Sequence, residues 1–112
     1  MKLKNLLDAV QAKVLWIDPA HESAEVVHVI SSDLMSDVLM VDLDHPLLLT
    51  SLVSDQSLRT ANVVGAAAVL VANGKTPPAD MVDLARQLGI PLARTALAKF
   101  DAALALGKAL GK

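Results

Sequence analysis

The sequence predicts a single α/β domain built on a mostly parallel sheet of about five strands, with helices on both faces. Three observations carry this. Short runs of Val, Leu, Ile and Ala recur along the chain without strict in-out alternation, the pattern of strands covered on both sides. Stretches with apolar residues three and four apart lie between those runs, which is the spacing of amphipathic helices. The chain has 112 residues, 54% of them hydrophobic, which fits one core and leaves little room for a second. No repeat, linker or low-complexity segment interrupts it, so residues 1–112 read as one domain.

The elements follow in order. Leu3, Leu6, Leu7 and Val10 form the stripe of a first helix, and Val14-Leu15-Trp16-Ile17 reads as a buried strand ended by Asp18-Pro19. Residues 20–25 are polar and read as a loop. Residues 26–30 are β-branched apart from His28 and predict a second strand. Ser31, Ser32 and Asp33 are N-cap residue types ahead of a short helix over 34–39.

Asp42-Leu43-Asp44-His45-Pro46 is a turn before a third strand, 47–51. Ser54 or Asp55 can cap a helix carrying Leu58, Ala61, Val64 and Gly65, and 68–71 is a fourth, fully buried strand. Asn73-Gly74-Lys75-Thr76-Pro77-Pro78 is the strongest loop signal in the chain. A helix with Met81, Leu84, Ala85 and Leu88 follows and stops at Gly89. Residues 90–93 form a last strand, which Pro91 assigns to an edge. Thr95 is expected to cap a final helix whose core stripe is Leu97, Phe100 and Leu104.

Composition narrows the function classes. Aromatic content is 2%, with Trp16 and Phe100 and no Tyr, so a base-stacking surface is not expected. The net charge is −2 and no Lys/Arg stripe forms, which argues against a nucleic-acid partner. There is no cysteine, hence no disulfide, thiolate metal site or cysteine nucleophile. The longest apolar run, 63–72, is about half the ~20 residues a membrane-spanning helix needs. A cytoplasmic protein without a membrane partner is the expectation.

The segment Val29-Ile30-Ser31-Ser32-Asp33-Leu34-Met35-Ser36-Asp37-Val38-Leu39 resembles the DRTGG domain family, in which a strand runs into a helix of this pattern. Val69-Leu70-Val71-Ala72-Asn73-Gly74-Lys75-Thr76-Pro77 is similar to that family's strand, glycine loop and proline. Ile90-Pro91-Leu92-Ala93-Arg94-Thr95, with Phe100 beyond it, is similar to its closing strand and helix start. The similarity spans nearly the whole chain, although neither an Asp-Arg nor a Thr-Gly-Gly string occurs in it. The resemblance implies an α/β fold like the N-terminal domain of HPr kinase/phosphorylase. It also implies frequent dimers, and occurrence beside CBS or phosphotransacetylase modules or as stand-alone proteins near redox enzyme genes.

Catalytic motifs are not expected. Gly74-Lys75-Thr76 has the tail of a P-loop, but the glycine that motif requires five positions earlier is Val69, inside a strand. No serine elbow, zinc-binding His pair or dinucleotide loop occurs. His21, His28 and His45 are scattered, and Asp42-Leu43-Asp44-His45 reads as a turn, so neither a metal nor a cofactor is expected. The candidate site is instead the carboxyl edge of the sheet, where ligands settle beside helix N-termini. It gathers Ser31, Ser32, Asp33, Thr50, Ser51, Asn73, Gly74, Lys75, Thr76, Arg94 and Thr95. Helix capping alone is enough to explain Ser32, Asp33, Thr76 and Thr95, and it is the commoner use of these residue types.

Two functions fit. One is a non-catalytic regulatory or interaction module, homodimeric, with a protein partner from the same pathway. The other is a sensor of a small anionic metabolite, phosphorylated or nucleotide-like, held at the carboxyl edge. The alanine-rich last helix is a candidate dimer surface.

Overall fold

The computed structural model describes residues 1–112. Five strands, β1 (Lys13–Trp16), β2 (Val29–Ser31), β3 (Leu47–Thr50), β4 (Ala68–Val71) and β5 (Leu92–Arg94), form one sheet in the order β1-β5-β4-β3-β2. The helices are α1 (Leu3–Ala9), α2 (Pro19–Glu22), α3 (Met35–Val38), α4 (Asp55–Val64), α5 (Ala79–Leu88) and α6 (Lys99–Ala109). Pairings β2–β3, β3–β4 and β4–β5 are parallel, whereas β1 runs antiparallel to β5. The sheet is therefore mixed rather than purely parallel. No helix is long and apolar enough to cross a membrane.

Strand order dictates where the helices lie. From β2 to β5 each strand is laid down beside the previous one in a single direction, and right-handed crossovers then place every connecting helix on one face. Met35 and Val38 of α3, Leu58 and Ala61 of α4, and Met81, Leu84 and Ala85 of α5 accordingly share one core with Leu48, Val69, Val71 and Leu92. The opposite face is left to α1 and α6, whose Leu3, Leu6, Leu7, Val10, Ala102 and Leu106 pack with Leu47, Leu49, Leu70 and Ala93. Strands β3 and β4 are buried along their whole length, which explains their unalternated apolar sequences.

Several expectations are corrected. Val26 lies outside β2 because its N–H bonds the Met1 carbonyl at 2.8 Å, while Lys2 bridges Glu25. The polar stretch 20–25 contains the single-turn α2. Pro91 precedes β5, which lies inside the sheet rather than at its edge; the Pro91 carbonyl accepts from the Val69 N–H at 2.9 Å. Phe100 and Leu104 do not form the core stripe of α6, since Phe100 is 75% exposed and Leu104 46%. Ala102 and Leu106 face the sheet instead.

Both α4 and α5 end on glycine in the left-handed region, Gly65 and Gly89, each at φ 70°. The next residue's N–H reaches back to close the helix, as in Ile90 to the Ala85 carbonyl at 2.9 Å. A Cβ built on Gly89 meets nothing within 4 Å, so only backbone conformation resists substitution. Gly89→Ala is expected to lower the unfolding free energy by about 1 kcal/mol with the fold unchanged, as read by urea denaturation.

Candidate functional site

Chain exits from the carboxyl ends of β4 and β5 diverge: β4 leads to α5 on one face and β5 to α6 on the other. In open α/β sheets, divergence of this kind opens a ligand crevice. Here the crevice is filled by the protein itself. The Arg94 guanidinium donates through Nη2 to the Gly74 carbonyl at 2.8 Å and through Nε to the Lys75 carbonyl at 3.0 Å. Gly74 N–H donates to the Thr95 carbonyl at 3.0 Å, and Asn73 N–H to the Leu97 carbonyl at 2.8 Å. Asn73 and Gly74 both adopt positive φ, 67° and 68°, which brings the turn back over β5.

The β2–β3 side is organised by Asp33. Its Oδ1 accepts from Thr50 Oγ1 at 2.9 Å and from the Ser51 backbone N–H at 2.6 Å. Its Oδ2 accepts from Ser51 Oγ at 2.5 Å and pairs with Lys99 Nζ at 3.2 Å. Partial burial pushes this carboxyl up. The Ser51 backbone N–H, the Ser51 and Thr50 hydroxyls and the Lys99 ammonium outweigh that effect and hold it well below the usual carboxylate range. Asp33 is thus an acceptor fixed in its charged form, not a proton donor at neutral pH.

Lys75 joins the two halves, because its Nζ donates to the Ser51 carbonyl at 3.0 Å. Asp33, Thr50, Ser51, Gly74, Lys75 and Arg94 therefore form one hydrogen-bonded string across the ends of four strands. Ser31 and Thr76 are exposed and stand apart from it. The Ser32 hydroxyl accepts from the Leu34 N–H at 3.1 Å in a local turn.

Capping does not account for these residue types. Neither Asp33 nor Thr76 bonds a helix start, and α4 and α5 begin without any side-chain cap. The Thr95 hydroxyl, expected to cap α6, donates to the Val10 carbonyl at 2.7 Å. Asn73 does that task instead, its Oδ1 accepting from the Lys99 N–H at 2.9 Å. Sequence reasoning missed Lys99, which no nearby residue marks as a partner of Asp33. With it three cations, Lys75, Arg94 and Lys99, stand at this edge around Asp33, while Asp37, Asp55, Asp80 and Asp101 lie in the first turns of the helices that start there.

Other features lie elsewhere. His21 and His45 come together with their rings stacked at 6.5 Å; His21 Nδ1 bonds Asp18, and His45 Nδ1 lies 3.2 Å from the Gly65 carbonyl. No group of three or more His, Asp or Glu is placed to hold a metal. A groove of about 190 Å³ crosses α1, β1 and α2, lined by Lys4, Leu7, Asp8, Val14, Ile17 and Glu22. None of the candidate residues borders it.

Comparison with solved structures decides the fold type. The chain is similar to the crystallised CBS and DRTGG domains of the regulatory region of Clostridium perfringens pyrophosphatase, with a TM-score of 0.74 over 94% of its length. The fold is DRTGG-like. Sequence identity is 17%, and the match spans 45% of that chain, so this protein corresponds to less than half of the region. That region was crystallised in complex with an activator, diadenosine tetraphosphate. No family model and no curated protein sequence matches this DRTGG-like chain.

Proposed function

We propose that this DRTGG-like domain is a non-catalytic regulatory module of the cytoplasm, acting as a homodimer on a protein partner of the same pathway. One observation carries the reading: the polar groups at the carboxyl edge already hold structural partners. Asp33 is clamped in its charged form, and Lys75 and Arg94 bond main-chain carbonyls. A general base or nucleophile needs an open lone pair directed at substrate, and these groups bond the fold instead.

A second reading, a sensor for a small phosphorylated or nucleotide-like anion, is favoured by the grouping of Lys75, Arg94 and Lys99 at this edge. The uncapped starts of α4 and α5 supply backbone donors beside them. The nucleotide activator bound to the similar regulatory region supports the same class of ligand.

Thermal unfolding of the purified protein with ATP, diadenosine tetraphosphate and acetyl phosphate separates the two. A sensor shows a dose-dependent rise in Tm, because a ligand of the folded state stabilises it by mass action. The rise should vanish in Lys75→Ala and Arg94→Ala. A flat response across the panel leaves the protein-partner reading and ends the sensor one.

A further inference from the structure

The outward face of α6 has no partner within the chain. Phe100 and Leu104 lie on it largely exposed, and Asp101 and Lys108 are exposed without an ion pair. Gly107 lies in the last turn of α6, and a Cβ built there meets nothing within 4 Å. Nothing in the monomer requires the missing side chain.

The five residues form a pattern. At about 100° of turn per residue, Leu104 lies at the centre of the outward face. Phe100 and Gly107 fall to one side of it, and Asp101 and Lys108 to the other. A two-fold axis crossing the helix at Leu104 lays a second α6 antiparallel on the first, with like sides together and the order reversed. Leu104 then meets Leu104 of the second copy, Phe100 meets the notch at Gly107, and Asp101 meets Lys108. Each off-centre pair lies one residue, about 1.5 Å along the axis, from the two-fold level set by Leu104, a shift that side chains span.

We infer that a second copy of this chain covers this face, with α6 packed antiparallel against α6 through Phe100, Leu104 and Gly107 and flanked by two Asp101–Lys108 ion pairs. The inference rests on the homodimer proposed above and adds its interface. The charge pattern selects the occupant, because the face is complementary to its own two-fold copy. Gly107 lets the two backbones approach where Phe100 inserts.

Sedimentation velocity on the full chain over a micromolar concentration series tests it. The wild type should dimerise. Asp101→Lys or Lys108→Asp alone should weaken the dimer by roughly tenfold, since each reversal places like charges together twice. The double reversal should restore it. The chain has no cysteine, so Leu104→Cys gives a single thiol, and mild oxidation should link two copies at the axis. A protein that stays monomeric overturns both this interface and the homodimer. A dimer that ignores the charge reversals, or that Leu104→Cys cannot link, overturns the interface alone.

Discussion

Asp33→Ala is expected to lower the unfolding free energy by about 3 kcal/mol, the largest loss at any polar residue of the carboxyl edge. The carboxylate receives the Ser51 N–H, the Ser51 and Thr50 hydroxyls and the Lys99 ammonium. Thr50 and Ser51 are buried, so their donors lose a partner that water replaces poorly. The Lys99 pair adds little, because the Asp33 side chain is 44% exposed and the pair is screened. Asp33→Asn keeps an acceptor toward Thr50 and the Ser51 N–H and should cost about 1 kcal/mol.

The pH dependence has a definite sign. A carboxyl whose native pKa is depressed contributes stability that is fully present above its unfolded value, about 4 for aspartate. That contribution fades as the pH falls below this value toward the native one. Urea unfolding between pH 5 and pH 2.5 should therefore show a shallower loss in Asp33→Asn than in the wild type. Parallel curves would mean that Asp33 titrates alike in both states, contrary to its hydrogen bonding.

Thr95→Val is expected to lower stability by about 2 kcal/mol, whereas Thr95→Ser should remain close to the wild type. Thr95 is 1% exposed, and valine matches its shape. What valine removes is the hydroxyl, which donates to the Val10 carbonyl at 2.7 Å and accepts from the Leu97 N–H at 3.2 Å. Val10 follows the last turn of α1, so this carbonyl is one that a helix end leaves unpaired. Chemical denaturation of the two variants reads the difference, and equal losses would assign the effect to packing alone.

Most of the architecture was legible in the letters. Leu47-Leu48-Leu49 and Ala68-Val69-Leu70-Val71 read as strands and are buried throughout, and Gly89 marked a helix end, whereas Gly65, read as part of its helix, is the left-handed residue that ends it. The direction of β1 was not legible, because neither burial nor propensity encodes which way a strand runs beside its neighbour. Phe100 misled for a different reason: large apolar residues favour the core, but here alanine and leucine meet the sheet.

The candidate residues were found at one edge, as expected, but their tasks were not. Asp33 and Thr95 have capping chemistry by type, and their partners at Ser51 and Val10 lie far along the chain. A short polar side chain serves a nearby helix and a distant carbonyl by the same bond, and only the fold decides between them.

The antiparallel seat of β1 orders the assembly of the domain. Strands β2 to β5 pair with sequential neighbours, so each can join once the next βα segment is made. Strand β1 has no place until β5 exists, since Lys13 faces Arg94 across the sheet. Closing so long a loop is slow, and during synthesis β1 is made before the other strands yet pairs only after β5. Through that interval Leu3, Leu6, Leu7 and Val10 have only part of the core that later buries them, because Ala93, Ala102 and Leu106 are still to be made. On the ribosome, α1 is an apolar surface open to a chaperone until the last elements of the domain are made.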